Sequence, residues 1–304
     1  VAGVGVGGAG GGFAASAGGN GLVVITWMSA ASATYDGGAG TEDVFVLEGA
    51  GTTTLDDEMC MNAGADVINF EEMGVSGGGT FSTGFTGGDT YFTYSDGTTD
   101  NALTQIEILD AGTTLELGTD YDDTGNALTA GIIGDTTGNN LSIAGVLTSD
   151  VDMGLGDDEA TITGTVSSAN FTLNDGDDTI TLDDLSTLDI SAVTIDGGTD
   201  SGGGGVNDTD VVNVTSTVAG TIDTDNLDNF GILNLDSQGT DIDITLDGSD
   251  PDFHTANLAG EADMVVAATA NLTLDVVGDT TDNDVDIATG GVLTGDINLG
   301  GGVD

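Results

Sequence analysis

The chain has 304 residues, of which 53 are Asp or Glu and none is Lys or Arg, so its formal net charge is -53 at pH 7. Side-chain salt bridges are effectively excluded, because the lone His254 is mostly neutral at that pH. At about 0.1 M salt the Debye length is about 10 Å, so neighbouring carboxylates repel one another. We therefore expect multivalent metal ions, high salt or both to belong to the folded state, the alternative being a generic salt-adapted acidic surface.

The same charge balance restricts the partners. Proteins bind nucleic-acid phosphates and anionic lipid surfaces through Lys and Arg, so both partners are excluded. No stretch reaches the roughly 18 apolar residues that span a bilayer, and the nearest, residues 21–28, is much shorter, so we expect no membrane insertion. The sequence opens at Val1 without a positively charged leader. We expect any secretion signal to have been removed or to lie outside this sequence.

Little of the composition supports catalysis. One Cys and one His cannot supply the usual ligand set of a structural zinc site, and Cys60, between Met59 and Met61, is expected to be a small buried hydrophobe. A His-dependent nucleophilic triad has only His254, in the loop-like stretch 248–254. Asp residues are so abundant that no single pair of carboxylates can be identified as the catalytic pair of a hydrolase. We expect a protein that is not an enzyme.

Residues 1–40 form a Gly/Ala-rich and almost uncharged segment. Its apolar run at residues 22–28 predicts one strand. That strand could add to the sheet edge of a neighbouring subunit, as in donor-strand complementation. Alternatively, it belongs to the core of its own domain.

Residues 41–130 hold most of the aromatic residues and predict a β-sandwich-like domain with a proper core. Short strands are expected at residues 44–47 and 114–117, and the best helical candidate, residues 56–61, is barely a turn and a half. These aromatic residues include Phe81, Phe85, Tyr91, Phe92, Tyr94 and Tyr121.

Residues 131–304 alternate Asp-rich turns with Thr, Val, Ile and Leu strands. Strict period-two patterns occur at residues 241–246 (DIDITL) and 271–276 (NLTLDV), and residues 232–235 form a further short strand. Such residues suit a pleated surface, with Gly, Asn and Asp supplying the turns. An all-β chain is therefore predicted.

A repeat of about twenty residues is visible in this last zone. Blocks 141–160, 161–180 and 181–200 align, and each contains a strand that runs into a Gly/Asp turn. The third copy is opened by an insertion at residues 201–208 before the pattern resumes at Thr209. Fixed spacing of this kind predicts stacked coils, as in a β-helix or β-roll-like solenoid.

The turn sequences resemble a known family. Residues 154–158 (GLGDD) and 174–180 (NDGDDTI) look like degenerate copies of the calcium-binding repeats of RTX proteins, and residues 227–235 (LDNFGILNL) are similar to a strand phrase of RTX-like bacterial surface-layer proteins. The resemblance covers about residues 140–257. It implies secretion, a calcium-stabilised β-roll or β-helix, and assembly into a lattice or filament outside the cell.

The chemistry of the turns fits Ca²⁺. This hard cation takes roughly six to eight oxygen ligands, and Asp at equal positions of stacked coils places carboxylates about 4.8 Å apart. Turn formation alone is the alternative role of these Asp and Gly residues, although it does not require so large a charge. The candidate metal ligands are Asp157, Asp158, Asp175, Asp177, Asp178, Asp196, Asp200 and Asp210.

A structural assembly unit is the function that these features favour. We expect an extracellular, cell-surface protein whose partners are copies of itself and calcium, without nucleic acid. The alternatives are a non-enzymatic calcium-binding module of a larger secreted adhesin or enzyme, and a functional amyloid of the matrix built from flat in-register strands.

Overall fold

The computed structural model describes residues 105–117, 131–198, 209–249 and 252–303, together with short segments between residues 13 and 102. In this part of the chain the secondary structure is almost entirely β, with one 3-10 helix at Thr224–Asn226. The chain divides into two compact units, Val1–Val151 and Asp152–Asp304. Across the described ranges, no helix is long and apolar enough to cross a membrane.

Short strands make up what is described of the first unit. They are β1 (Phe13–Ala14), β2 (Leu22–Ile25), β3 (Tyr35–Asp36), β4 (Val44–Glu48), β5 (Thr52–Thr54), β6 (Val67–Ile68), β7 (Glu72–Ser76), β8 (Thr80–Ser82), β9 (Thr93–Ser95), β10 (Asp100–Ala102), β11 (Gln105–Ile108), β12 (Thr114–Leu117), β13 (Gly131–Ile133), β14 (Asn140–Ile143) and β15 (Val146–Leu147).

Parallel pairing dominates this unit. One sheet has the order β2-β4-β7-β11-β13, a second β5-β8-β12-β14 and a third β1-β3-β6, whereas β9 and β10 form an antiparallel pair. Buried Phe81 lies in register with Leu115 of the next strand in its sheet. The predicted β-sandwich is not supported, because sandwiches are built from antiparallel sheets. A β-sandwich and a stack of parallel strands both alternate buried and exposed residues, and both bury aromatic side chains. The sequence pattern therefore does not distinguish the two folds.

Some predictions for residues 1–130 concern residues outside those that the structure describes. These are the helical turn at 56–61, the buried Cys60, and the aromatic residues Phe85, Tyr91, Phe92 and Tyr121. The apolar strand expected at 22–28 is present as β2, which pairs with β4 of the same chain, Leu22 in register with Val44. This pairing accords with the strand belonging to its own domain.

The second unit contains the remaining strands, and the first of them lies at the division between the two units. They are β16 (Val151–Asp152), β17 (Glu159–Ile162), β18 (Thr165–Thr172), β19 (Thr179–Asp183), β20 (Asp189–Asp196), β21 (Val211–Thr215), β22 (Gly220–Asp223), β23 (Leu227–Asp228), β24 (Ile232–Asp236), β25 (Ile242–Asp247), β26 (Thr255–Ala259), β27 (Ala262–Val266), β28 (Asn271–Thr273), β29 (Asp275–Gly278), β30 (Val285–Ile287), β31 (Val292–Thr294) and β32 (Ile297–Asn298).

These strands wind into a parallel β-solenoid of about seven turns. One sheet stacks β17, β19, β21, β24, β26, β29 and β32, one strand from each coil. Further sheets have the orders β18-β20-β23, β22-β25-β27-β30 and β28-β31. The prediction of an all-β chain with a solenoid in the C-terminal half is confirmed.

Alternation along each strand creates the core of the solenoid. In β24, Leu233 and Leu235 are fully buried while their neighbours are partly exposed, and β19 buries Ile180 and Leu182 in the same way. Because the strands stack in register, aliphatic residues of successive coils lie directly over one another. Burial of such side chains contributes roughly 1.5–3 kcal/mol each, which makes the inner column the main source of stability.

The predicted strand at 271–276 is two strands, β28 and β29, which belong to different sheets. The chain turns a corner at Leu274, whose side chain is buried and whose amide donates to the Thr294 carbonyl oxygen at 3.0 Å. Burial continues with period two through Leu272, Leu274 and Val276. Periodicity alone therefore cannot reveal the corner.

A ladder of asparagine side chains runs across three coils. Asn234 Nδ2 donates to Asn213 Oδ1 at 2.8 Å, and Asn257 Nδ2 donates to Asn234 Oδ1 at 2.7 Å. The three residues occupy one register position in β21, β24 and β26. Amide side chains carry both a donor and an acceptor, so one column of Asn can bond continuously without charge.

Close approach of neighbouring coils at one turn requires glycine at position 198. Gly198 has φ +106, and a Cβ there would lie 1.6 Å from the Asn174 carbonyl oxygen. Gly239 has a similar φ of +77, but a Cβ there would have no atom within 4 Å. We expect Gly239→Ala to cost about 1–2 kcal/mol of unfolding free energy from backbone strain. Gly198→Ala should cost at least about 1–3 kcal/mol more, because the coils must separate.

Denaturant unfolding of the two variants, followed by circular dichroism, measures this difference. Equal losses of unfolding free energy in Gly198→Ala and Gly239→Ala would contradict the close approach of the coils at this turn.

Candidate cation-binding turns

The candidate ligands lie where the strands of the first complete coils of the second unit run into turns. Residues 154–158 and 174–178 are stacked, with Leu155 and Asp175 forming a parallel β-bridge. Glu159 and Thr179 then begin β17 and β19 in register. The twenty-residue spacing predicted from the sequence is confirmed for this pair of coils.

Three of the candidates form a buried column. Asp158, Asp178 and Asp210 are almost fully buried. The Asp158 amide donates to Asp178 Oδ1 at 2.7 Å across 20 residues, and the Asp178 amide donates to Asp210 Oδ1 at 2.6 Å across 32 residues. The column therefore links three successive coils through alternating amide and carboxylate groups.

A second column lies beside the first and faces solvent. Asp157 and Asp177 are exposed, and the Asp177 amide donates to Asp157 Oδ1 at 3.1 Å. In the next coil the position is taken by Thr209, whose hydroxyl donates to Asp177 Oδ1 at 2.5 Å. Carboxylates at adjacent positions in adjacent coils present an oxygen-rich surface, which is the ligand chemistry of a hard divalent cation.

Asp196 belongs to a different part of the turn. Its Oδ1 accepts from the Gly198 amide at 2.9 Å and from Asn229 Nδ2 at 2.7 Å. The same arrangement occurs two coils earlier, where Asp152 Oδ1 accepts from the Gly154 amide at 3.2 Å and from Asn174 Nδ2 at 2.7 Å. Both Asn residues have positive φ. In both places, a side-chain hydrogen bond joins an Asp of one coil to an Asn of the next coil.

The sequence alignment of the third copy is wrong in one respect. It placed Asp200 level with Asp178, whereas the structure brings Asp210 to that position. Asp200 itself lies outside the described residues. The register offset grows from 20 to 32 residues at this coil, so the inserted segment precedes the structural equivalent of Asp178 rather than following it.

The aspartates do not converge on a single point. Among the residues that the structure describes, no group of three or more His, Cys, Asp or Glu side chains has the arrangement of a preformed metal centre. The candidate carboxylates are instead distributed along the stack, up to three of them in one turn, as in residues 174–178. Any cation bound here would bridge neighbouring coils and would draw further ligands from backbone carbonyls or water.

Two further acidic clusters are also stacked, and the first of them includes Asp196 of the predicted set. Asp228 lies in register with Asp196, and burial first, then the charges of Asp196 and Asp252, raises its pKa. Asp263 lies in register with Asp243. Burial raises the pKa of Asp263, and the charges of Asp284, Asp241 and Asp243 act in the same direction, against a hydrogen bond from the Asp284 amide.

Sequence reasoning missed these clusters because it followed the Gly/Asp turn motif alone. The signal that could have found the second one is the recurrence of Asp at positions 243, 263 and 284, close to the coil spacing.

His254, the one candidate for His-dependent catalysis, directly precedes β26. Its Nδ1 lies 3.1 Å from the Thr255 hydroxyl oxygen. This contact with the adjacent residue positions the ring at the start of a strand. That the chain is not an enzyme stays a prediction.

No family model, curated protein or solved structure matches this chain. The geometry of the solenoid and of its turns therefore carries the functional argument.

The raised pKa of Asp228 predicts a stabilising substitution. Ionised Asp228 destabilises the fold at neutral pH, and this penalty fades as the pH falls through its raised folded-state pKa towards the ordinary value of 3.8. In buffer containing a chelator, Asp228→Asn should therefore raise the melting temperature at pH 7 and have little effect below pH 3.8.

Asp189→Asn is the matched control. The Ser191 hydroxyl and then the Ser191 amide hold the pKa of Asp189 below its ordinary value, so its charged form stabilises the fold above that value and loses this effect as the pH falls. This variant should lower the melting temperature at pH 7. A decrease of the same size in both variants would show that repulsion at Asp228 is not significant.

Proposed function

We propose that this chain is an extracellular structural protein that assembles with copies of itself into a surface layer or filament, and that Ca²⁺ folds and cross-links it. The observation that carries the proposal is the stacking of carboxylates at equal positions of successive coils, above all Asp158, Asp178 and Asp210, in a chain without Lys or Arg. Cations must come from outside the chain to neutralise such columns.

Calcium suits the columns better than zinc. Carboxylates, hydroxyls and backbone carbonyls are hard oxygen ligands, and the chain offers one Cys and one His. A divalent ion between two coils replaces repulsion between carboxylates with attraction to a shared charge. Each bound ion then acts as a cross-link between coils, which couples folding to metal binding.

A stack of coils is also suited to a structural role. Each coil contacts mainly the coils before and after it, so the fold is built from repeated nearest-neighbour contacts. The absence of Lys and Arg leaves trypsin-like proteases no site to cleave. Both properties favour a long-lived material outside the cell, and the resemblance of the turns to RTX repeats points to the same location.

Titration with Ca²⁺ after EDTA treatment, followed by circular dichroism and light scattering, tests the proposal. We expect a cooperative gain of β signal at micromolar to millimolar Ca²⁺, the range of sensor and extracellular sites, followed by rising scatter. A gain of β signal without scatter would favour the calcium-binding module of a larger adhesin or enzyme. A spectrum unchanged by EDTA would contradict the calcium role and leave a salt-adapted structural protein or an amyloid.

Substitution of one buried carboxylate tests the columns themselves. Asp178→Asn keeps the size of the side chain and an acceptor for the Asp158 amide but removes a charge from the buried column. The Ca²⁺ midpoint of folding should rise by roughly tenfold. Asp286→Asn removes the same charge from an exposed position of β30, outside the candidate columns, and should shift the midpoint little. Equal midpoints for the two variants would place the bound calcium elsewhere.

A further inference from the structure

One sheet of the second unit has an outward surface without charge at its centre. In β19, β21, β24 and β26 the first and third residues point away from the core, as the alternation of burial shows. These outward residues are partly exposed, and none of them is acidic. They are two Thr in β19, Val211 and Asn213 in β21, Ile232 and Asn234 in β24, and a Thr and an Asn in β26. This set of residues is termed the neutral strip.

The neutral strip is also regular. β19, β21, β24 and β26 pair in parallel, residue for residue and without a register shift. Thr181, Asn213, Asn234 and Asn257 therefore form one column, in which neighbouring strands lie about 4.8 Å apart. A surface with equal spacing along the stack can meet a second copy of itself at many groups at once.

Two other sheets of this unit carry carboxylates at their outward positions. In the sheet β22-β25-β27-β30, Asp243 and Asp247 flank the outward Thr245 within β25. In the sheet β18-β20-β23, strand β20 begins with the outward Asp189 and ends with the outward Asp196. Negative charge on both copies would oppose contact through either of these sheets. The neutral strip lacks this repulsion at its centre.

Hydrogen-bond donors are the scarce groups for self-association in this chain. An ionised carboxylate only accepts hydrogen bonds, and the sequence has no Lys or Arg to donate to it from a second copy. Side-chain amides and hydroxyls carry both a donor and an acceptor. A surface of Asn and Thr is therefore complementary to an identical surface, whereas a surface of Asp is not.

The asparagine ladder prepares the strip for contact. Asn234 uses one N–H to donate to Asn213 and one lone pair of its Oδ1 to accept from Asn257. A side-chain amide has two N–H groups and two such lone pairs, so these bonds leave one of each for a partner. The ladder also fixes the side chains in advance, which lowers the entropy cost of association. Val211 and Ile232 add apolar contact area beside the ladder.

Carboxylates border the neutral strip. Glu159 and Asp275 are in register with its first positions, in the strands on either side of it. Asp183 and Asp236 are the last residues of β19 and β24. A centre depleted of charge inside a polar rim is typical of protein interfaces. The rim makes contact between two copies dependent on cations, because its carboxylates would otherwise repel those of the second copy.

We propose that the neutral strip is a contact surface between two copies of this chain, in which the strip of one copy packs against the strip of the other. The inference rests on the proposed self-assembly and specifies one of its contacts. Because both copies use the same surface, the contact is isologous and relates them by a two-fold axis. Four strands span about 15 Å, which predicts an interface below the standard size and therefore a weak contact that acts together with others in the assembly.

The first test adds one charge to the strip. Thr181→Asp places a carboxylate in the column of the ladder, and Thr245→Asp makes the same exchange at a partly exposed outward position of β25. The residues in register with each Thr are uncharged, so the two variants are matched. With Ca²⁺ present, Thr181→Asp should lose at least about tenfold in light scattering, because two like charges then meet across the contact, whereas Thr245→Asp assembles as the unsubstituted chain does. Equal assembly of the two variants overturns the proposal.

A rescue variant separates charge from packing. Thr181→Asn changes the shape of the same side chain but keeps a donor and an acceptor. This variant should assemble like the unsubstituted chain. A loss of light scattering equal to that of Thr181→Asp would show that the position tolerates no change, and would overturn the role assigned to charge and donors.

Labelling of the unsubstituted chain tests the contact without any substitution. Hydroxyl radicals oxidise exposed aliphatic side chains, and mass spectrometry locates the oxidised residues after cleavage at aspartate. Labelling of Val211 and Ile232 should fall when Ca²⁺ induces assembly, while labelling of Val265, an outward and partly exposed residue of β27, should not. A fall that is equal at all three residues, or absent from all three, overturns the proposal.

The outcomes separate this inference from the proposed function. If the unsubstituted chain remains monomeric at all Ca²⁺ concentrations, self-assembly itself is wrong and the contact falls with it. If the chain assembles while Val211 and Ile232 stay labelled, self-assembly stands and the neutral strip is not one of its contacts. Protection of both residues by a soluble neutral glucan, but not by assembly, would assign the strip to a polysaccharide and overturn the pairing of copies.

Discussion

Hydrogen bonds from the backbone amides of one coil to the aspartate carboxylates of the next are the interaction on which the second unit depends. They occur near its beginning, at Asp178 and Asp210, and near its end, where the Asp284 and Asp296 amides donate to Asp263 and Asp275 at 2.8 Å. A bond to a charged acceptor is about twice as strong as a neutral one. Because the chain has no Lys or Arg, the partial positive charge of backbone N–H groups offsets the negative charge of these carboxylates.

The same carboxylates therefore both stabilise the fold, through these hydrogen bonds, and destabilise it, through repulsion between their charges. Each carboxylate that joins two coils also lies near the carboxylates of its neighbours, as Asp228 does with Asp196 and Asp252. The hydrophobic columns supply the compensating energy, since inner residues such as Leu233 and Ile244 are fully buried. External cations would strengthen the same junctions, so one set of turns links core packing, register and the proposed response to calcium.

Much of the solenoid could be predicted from sequence because its two periodicities are visible there: two residues within strands and about twenty between coils. That Asp200 is not the equivalent of Asp178 could not be predicted, because an insertion shifts the register. The hydrogen bond from the Asp178 amide to Asp210 identifies Asp210 as that equivalent. The corner at Leu274 was missed because burial alternates through it. Similarly, aromatic residues such as Phe81 indicate a core but do not say whether the strands around it are parallel.

The asparagine ladder and the carboxylate columns have a mechanical consequence. Both connect only neighbouring coils, as Asn234 does with Asn213 and Asn257. Tension applied along the chain would therefore load one junction at a time instead of shearing many strands together. The second unit should lengthen in small steps, each releasing a coil of about 20 residues, and should dissipate work gradually where a single cooperative domain would rupture at once.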